Sequence, residues 1–326
     1  MKLNVIYPID CIDGLRTLPD ACIDACITSP PYYGLRDYGT ENQLGLERTP
    51  TEYVAKLVEI FSHVYRVLKA EGTLWLNLGD SYSSHKDCKS ISQTIAKGTN
   101  REHAHVIEKG KSRTRDSKML KKEGLKNKDL IGIPWRVAFA LQQYGWYLRQ
   151  DIIWSKPNPM PESVKDRCTK AHEYIFLLSK APKYYYDYKA ILELAKYDGR
   201  KDTKVKSSKK YNNSDYLASN KAQTLNLNGR ERWIYKIEDV QARNKRSVWN
   251  VATKPFREAH FATFPPDLIL PCILAGCPPN GIVLDPFMGA GTTAMVASQN
   301  GRNYIGFELN PTYVKMAVDR VQNCHK

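Results

Sequence analysis

Nowhere in the 326 residues do 18 apolar side chains run consecutively, and a helix that crosses a bilayer needs about 20 of them. The N-terminus also lacks the basic, apolar and small-residue zones of a secretory leader. A soluble, cytosolic protein is therefore expected. Eight cysteines are present, but none sits in a C-x-x-C pair. Cys22 and Cys26 are separated by three residues and Cys272 and Cys277 by four, each pair in apolar surroundings without a companion histidine. No metal is expected on them, and they read as core thiols, with no need for disulfides in the cytosol.

A missing glycine is equally informative. The segment GIVLDPFMGAGTTAMVASQNGRNYIGFELNPTYVKMAVDR reads as strand, glycine loop, helix, strand, helix. Its loop is D-P-F-M-G-A-G-T, and the third glycine of the dinucleotide fingerprint is absent, which argues against a pyrophosphate ligand. Gly289 and Gly291 still remove side chains where a ligand must approach backbone, and Glu308 follows Gly289 by 19 residues, about the spacing at which an acidic side chain meets ribose hydroxyls. With Asp285, Pro286, Phe287 and Thr292, these residues point to a nucleoside-bearing cofactor without phosphates. S-adenosylmethionine fits that description.

At the other end, the apolar run Ile23 to Thr28 meets Ser29-Pro30-Pro31-Tyr32. Two prolines cannot continue a ladder, so the chain leaves the sheet there. In an open α/β sheet that strand end is where ligands bind. The Ser29 hydroxyl and the Pro30 carbonyl can accept from an exocyclic amine, and Tyr32 offers a ring on which a base stacks, worth about 1–3 kcal/mol. The same four residues also occur as a plain strand exit.

Together these blocks resemble the S-adenosylmethionine-dependent DNA amino-methyltransferases. TSPPYYGLRDYG is similar to their catalytic motif, LDPFMGAGTT to their cofactor loop and FELNPTY to their ribose-binding strand end, while WSKPNPMPESVKDRCTKAHEYIFLLSK and HFATFPPDLI resemble two further blocks. Having the catalytic motif first and the cofactor motif last is the order of the beta group, a circular permutation. The resemblance implies a Rossmann-like class I methyltransferase fold: α/β, with a seven-stranded, mostly parallel, permuted sheet. It implies Ser29, Pro30, Pro31 and Tyr32 at the reacting amine, and Asp10 and Phe264 among the cofactor contacts, although Ile9 stands where the family commonly has glycine. Members with Ser at the first motif position mostly methylate cytosine N4, so cytosine is expected and adenine N6 is the alternative. A DNA-binding protein that has lost methyl transfer is the alternative from another class. Pro271-Cys272 resembles the nucleophile dipeptide of cytosine C5 methylation but lies in an apolar helix, where packing is expected. His172 and His260 are each expected to orient a loop, with a catalytic part as the alternative. Asp80 in NLGDSY borders the target pocket or caps the next turn.

A C-terminal nucleotide unit must borrow its sheet neighbours from the N-terminal half. Strand-like runs occur at Leu3 to Ile6, Ile23 to Thr28, Thr73 to Leu78, Leu148 to Trp154 and Glu173 to Leu178, and the two C-terminal strands make seven. Tyr53, Leu57, Ile60, Phe61, Val64 and Leu68 form a helical stripe, and Ile131 to Tyr144 and Pro265 to Ala275 give others.

The formal net charge of +15 is concentrated in two segments: Lys86 to Lys128, with 13 basic and 5 acidic residues, and Lys196 to Arg246, with 14 and 6; the other 232 residues are nearly balanced. Neither segment has sustained apolar periodicity. Basic residues interleaved with hydroxyl, amide and aromatic ones suit phosphate contact and base-edge readout. The chain therefore divides into catalytic parts 1–85, 129–195 and 247–326, the last binding cofactor, a basic insertion 86–128, and a target recognition region 196–246. Lys206, Lys209, Lys210, Arg230, Arg232, Arg113 and Arg115 are the expected DNA contacts. The partners implied are double-stranded DNA and a cognate restriction endonuclease, for a monomer or homodimer in the cytoplasm, associated with the nucleoid through DNA.

Overall fold

A computed structural model describes residues 2–34, 43–83, 117–194, 242–253 and 264–324. They fall into two units, Met1–Asp187 with Arg246–Lys326, and Tyr188–Lys245.

In the first unit, β1 (Val5–Tyr7) leads to α1 (Cys11–Thr17) and β2 (Ile23–Thr28). The helix α2 (Pro50–Val67) starts where the Thr49 side chain accepts from the Glu52 amide and Pro50 supplies a preset φ. Its stripe Tyr53, Leu57, Ile60, Phe61 and Val64 is buried, and Leu68 already opens β3 (Leu68–Leu78). The chain continues through α3 (Ser117–Lys122), α4 (Ile133–Tyr144), β4 (Tyr147–Ser155) and β5 (His172–Ser179). The second unit contributes β6 (Glu193–Leu194) and β7 (Ala242–Arg243), an antiparallel ribbon closed by an Arg243–Glu193 ion pair at 3.0 Å. The first unit resumes with β8 (Val248–Asn250), α5 (Pro266–Gly276), β9 (Ile282–Asp285), α6 (Thr292–Gln299), β10 (Asn303–Phe307) and α7 (Pro311–Asn323).

The main sheet has the order β1-β10-β9-β2-β3-β5-β4-β8. All pairs from β1 to β3 are parallel, and only β5 runs against its neighbours. Each of the seven expected strands is present. An eighth, β8, adds to the edge, three residues with too little pattern to be read from sequence. The permutation is visible as the C-terminal β10 lying between the N-terminal β1 and β9.

Side chains of the central strands alternate between two faces. Cys26, Leu74, Leu76, Leu78, Phe176 and Leu178 join the buried cluster built by α1, α2 and α4. Trp75 and Thr73 point the other way, where Thr73 Oγ1 donates to the Gly276 carbonyl of α5 at 3.3 Å. Cys26, Cys272 and Cys277 are buried in this core, and desolvation pushes the Cys277 thiol up to about 12. Cys272 lies inside α5 with its thiol against the Leu268 carbonyl. The end of the first basic segment is packed rather than free, since Leu120 and Leu125 are buried in the same cluster. No helix among the described residues is long and apolar enough to cross a membrane.

Candidate active site

Because β9, β10, β1, β2 and β3 are parallel, their carboxyl ends share one edge of the sheet, and antiparallel β5 brings its N-terminus to the same edge. Two clusters meet there.

The first is the glycine loop after β9. Gly291 has φ +78°, and a Cβ on it would meet the Ala317 Cβ of α7 at 2.7 Å, so both backbone conformation and close packing demand glycine. The Gly289 amide donates to Glu308 Oε2 at 2.8 Å, and the Asn310 amide donates to Oε1 at 2.8 Å. Burial raises the Glu308 pKa. With about four acceptor sites on the two oxygens, the carboxylate keeps room for a hydroxyl donor. Among the described residues, a Cβ on Gly289 would find only the Phe287 carbonyl, at 3.9 Å, so they leave this side of the loop clear. No Lys or Arg lies in the loop itself between Asp285 and Thr292, and Arg320 beside it is engaged by the Ala290 carbonyl and the Thr292 hydroxyl. The residues fit a ribose-bearing ligand without phosphates.

Not every residue expected at the cofactor faces that space. Asp285 is buried, with Oδ1 accepting from Thr28 Oγ1 at 2.6 Å and from the Phe287 amide at 3.0 Å, and Oδ2 from Thr293 Oγ1 at 2.6 Å. Its carboxylate ties the end of β2 to the loop and is buried there. Burial raises its pKa from 3.8 to about 6 against the three hydrogen bonds that lower it. Thr292 is buried and its hydroxyl receives Arg320 Nη1 at 2.9 Å. Pro286 is buried, and Phe287 packs partly into the core cluster. Asp10 caps α1, its Oδ1 accepting from the Ile12 amide at 2.8 Å and the Asp13 amide at 3.4 Å, next to the strand whose Tyr7 carbonyl receives the Glu308 amide at 3.1 Å. Phe264 is half-buried just before α5.

The second cluster is the turn after β2. Thr28 and its bond to Asp285 hold the turn directly against the glycine loop. The Pro31 carbonyl receives Tyr53 Oη at 2.8 Å, fixing the second proline to α2. Tyr32 is half-buried, its ring so close to Gly79 that a Cβ there would lie 2.5 Å from the ring edge. Its hydroxyl lies 3.4 Å from Ser29 Oγ, 3.0 Å from Asn77 Oδ1 and 2.6 Å from Glu173 Oε2. The other Glu173 oxygen pairs with Lys156, whose ammonium sits 4.2 Å from the centre of the Trp154 ring. Desolvation, then the Glu173 charge, raises the Tyr32 pKa well above the usual tyrosine value, so the phenol is protonated at neutral pH.

Asn77, Glu173 and Lys156 were not anticipated as site residues. Asn77 is the penultimate residue of β3, Glu173 the second residue of β5, and Lys156 directly follows β4; the β4–β5 pairing that sets Trp154 opposite Glu173 is a tertiary fact. Their strand-end positions in the quoted blocks were the available signal. Asp80 accepts from the Gly132 and Ile133 amides at 3.0–3.1 Å and so caps α4. His172 Nε2 lies 3.4 Å from the Tyr174 hydroxyl. His260, Arg113, Arg115, Lys206, Lys209, Lys210, Arg230 and Arg232 lie outside the described residues. No group of three or more His, Cys, Asp or Glu suited to a metal occurs among the described residues.

A family described as DNA methylase, with amino-group N6 and N4 members, matches residues 23–319. The Type II methyltransferase M.Cfr9I of Citrobacter freundii is 45% identical over 99% of this chain and 89% of its own length. M.SmaI of Serratia marcescens is 42% identical over 96% of this chain and 88% of its own. Among solved structures, the PvuII DNA methyltransferase (cytosine-N4-specific) superposes with a TM-score of 0.60 at 19% identity, covering 97% of this chain and 85% of that one. A Thermus thermophilus protein assigned as a DNA modification methylase, solved with S-adenosyl-L-methionine, gives 0.56 at 19% identity, with 98% and 93% covered. At these identities the two structures establish the shared fold.

Proposed function

The chain belongs to the DNA methylase family of N6 and N4 amino-methyltransferases, and from that premise we propose that it methylates N4 of a cytosine rotated out of double-stranded DNA. It is a Type II DNA methyltransferase of the restriction-modification kind, and its methyl donor is S-adenosylmethionine. The donor supplies an electrophilic sulfonium methyl that needs no metal. The Gly289 loop, Phe287 and Glu308 hold it in this reading, with Glu308 on the ribose.

The observation that carries the choice of base is Ser29, a short neutral hydroxyl at the head of the Pro-Pro-Tyr turn, locked to the cofactor loop by the Thr28–Asp285 bond. An aromatic amine is a poor nucleophile because its lone pair is delocalised into the ring. Two acceptors on its hydrogens, Ser29 Oγ and the Pro30 carbonyl, draw the nitrogen towards sp3 geometry and aim its lone pair, while Tyr32 holds the ring. Catalysis is then mostly positioning in a water-poor pocket. Extracting the base costs a few kcal/mol, offset by ring contact and by phosphate contacts from the two basic segments. Recognition of a specific site falls to residues 196–246, with 86–128 as a second DNA contact, and a cognate endonuclease is the expected genetic partner.

Nucleoside mass spectrometry of duplex DNA incubated with the protein and donor tests this. N4-methylcytosine is expected, N6-methyladenine would reassign the base, and no methylated nucleoside on any duplex would leave a DNA-binding protein.

A further inference from the structure

The hydrogen bonds around Tyr32 have a direction. A phenol carries one proton, and two acceptors face it, Glu173 Oε2 at 2.6 Å and Asn77 Oδ1 at 3.0 Å. The shorter, charge-assisted contact takes the proton. Asn77 is oriented by its own donation to the Tyr174 carbonyl at 3.1 Å and to Glu173 Oε2 at 3.4 Å. With its hydrogen committed to Glu173, the Tyr32 oxygen is left as an acceptor, and Ser29 Oγ, 3.4 Å away, donates to it. Ser29 is then left with lone pairs only, the state needed to receive hydrogens from an amine. Lys156 compensates the carboxylate from its other side, and the pair is largely enclosed, with side chains 18% and 14% exposed.

We propose that Glu173 is the terminal proton acceptor of the methyl transfer, reached through Tyr32 and Ser29. This rests on the reading that Ser29 meets the target amine. As the N–CH3 bond forms, the S–CH3 bond breaks and its electron pair stays on sulfur. One N–H bond of the resulting cationic nitrogen then breaks. That proton moves onto Ser29 Oγ, the serine hydrogen onto the Tyr32 oxygen, and the tyrosine hydrogen onto Glu173 Oε2. The products are a neutral methylamino base and a protonated Glu173, which returns its proton to solvent before the next turnover. Asn77 and Lys156 hold the relay in register, and Gly79 makes room for the ring in its middle.

The test compares wild type, Glu173→Gln and Tyr32→Phe in single-turnover methylation of duplex DNA across pH. Proton-transfer groups contribute about 10²–10⁴-fold, so both variants should lose at least about 10²-fold near neutrality, and the double variant no more than either alone. The wild-type rate should fall on the acid side as the acceptor fills, and this limb should vanish in Glu173→Gln. Two readouts independent of turnover accompany it. The Tyr32 ring-carbon NMR signal, assigned by its loss in Tyr32→Phe, should show a lower phenol pKa in Glu173→Gln, and fluorescence of 2-aminopurine at the target should report unchanged base extrusion. An acid limb that persists in Glu173→Gln, or a loss matched by lost extrusion, overturns the relay while leaving the site reading intact. Failure of the wild type to methylate any duplex overturns both.

Discussion

Glu308 and Ser29 directly follow different strands, β10 and β2, at one sheet edge, and their surroundings assign them different work. Glu308 offers lone pairs above Gly289, so Glu308→Ala should weaken donor binding by about 1.5–3 kcal/mol, the worth of a hydrogen bond to a charged group, with a smaller change in kcat. Ser29→Ala and Tyr32→Ala should instead lower kcat by about 10²-fold or more with donor Kd nearly unchanged. Calorimetric donor titration beside single-turnover rates checks the division, and the reverse pattern would break the assignment of the two clusters. Asp285 belongs to neither. It binds its proton more tightly folded than unfolded, with a pKa raised from 3.8 to about 6. Its contribution to stability is therefore fullest below about pH 4 and is lost as pH rises through 6. Relative to Asp285→Asn, wild type should lose up to about 3 kcal/mol between those limits. Denaturant unfolding of both proteins at several pH values should give a difference that drifts in the variant's favour and then levels off above about pH 7. A constant difference would mean the carboxyl titrates alike folded and unfolded.

At the scale of elements, Asp80 shows how a motif-adjacent acid is put to structural use. Gly132 opens α4 in the left-handed region at φ 79° and has no side chain to cap with, so the helix borrows Asp80 from the end of the β3 segment. Asp80→Ala should cost about 1–2 kcal/mol by the usual worth of a cap, and a melting temperature lowered by about 1–3 degrees would show it. An unchanged melting temperature would leave the contact without energetic weight. Strands β1 to β5, β9 and β10 and helices α2, α4, α5, α6 and α7 were legible because their apolar periods, about 2.0 and 3.6 residues, are local properties. The glycine loop, the Pro-Pro turn and Glu308 were legible for a similar reason, since glycine, proline and fixed spacing leave marks in one dimension. The Tyr32 network was not, because it depends on β5 inserting antiparallel between β3 and β4, and no local pattern states which strand ends will meet. Asp285 and Thr292 were placed at the cofactor for the converse reason. Proximity in a motif does not say whether a polar side chain faces the cavity or, as here, the core.

For the molecule as a whole, charge is segregated from the catalytic frame. Outside the two basic segments the chain is nearly neutral, and each segment carries a surplus of eight positive charges. A merely solvated surface gains nothing from such segregation, whereas a nucleic-acid ligand rewards it through release of condensed counterions. Each phosphate contact adds about 0.9 to the slope of log K against log salt on duplex DNA. Changing Lys206, Lys209 and Lys210 together to Gln should therefore flatten that slope by as much as about 2.7. The reduction should be equal on cognate and unrelated duplexes, because phosphate contacts carry no sequence information. Fluorescence anisotropy titrations between about 50 and 200 mM salt measure it. An unchanged slope would place these lysines in solvent. A slope that changes only on the cognate duplex would place them at base edges, where they would be reading the sequence itself.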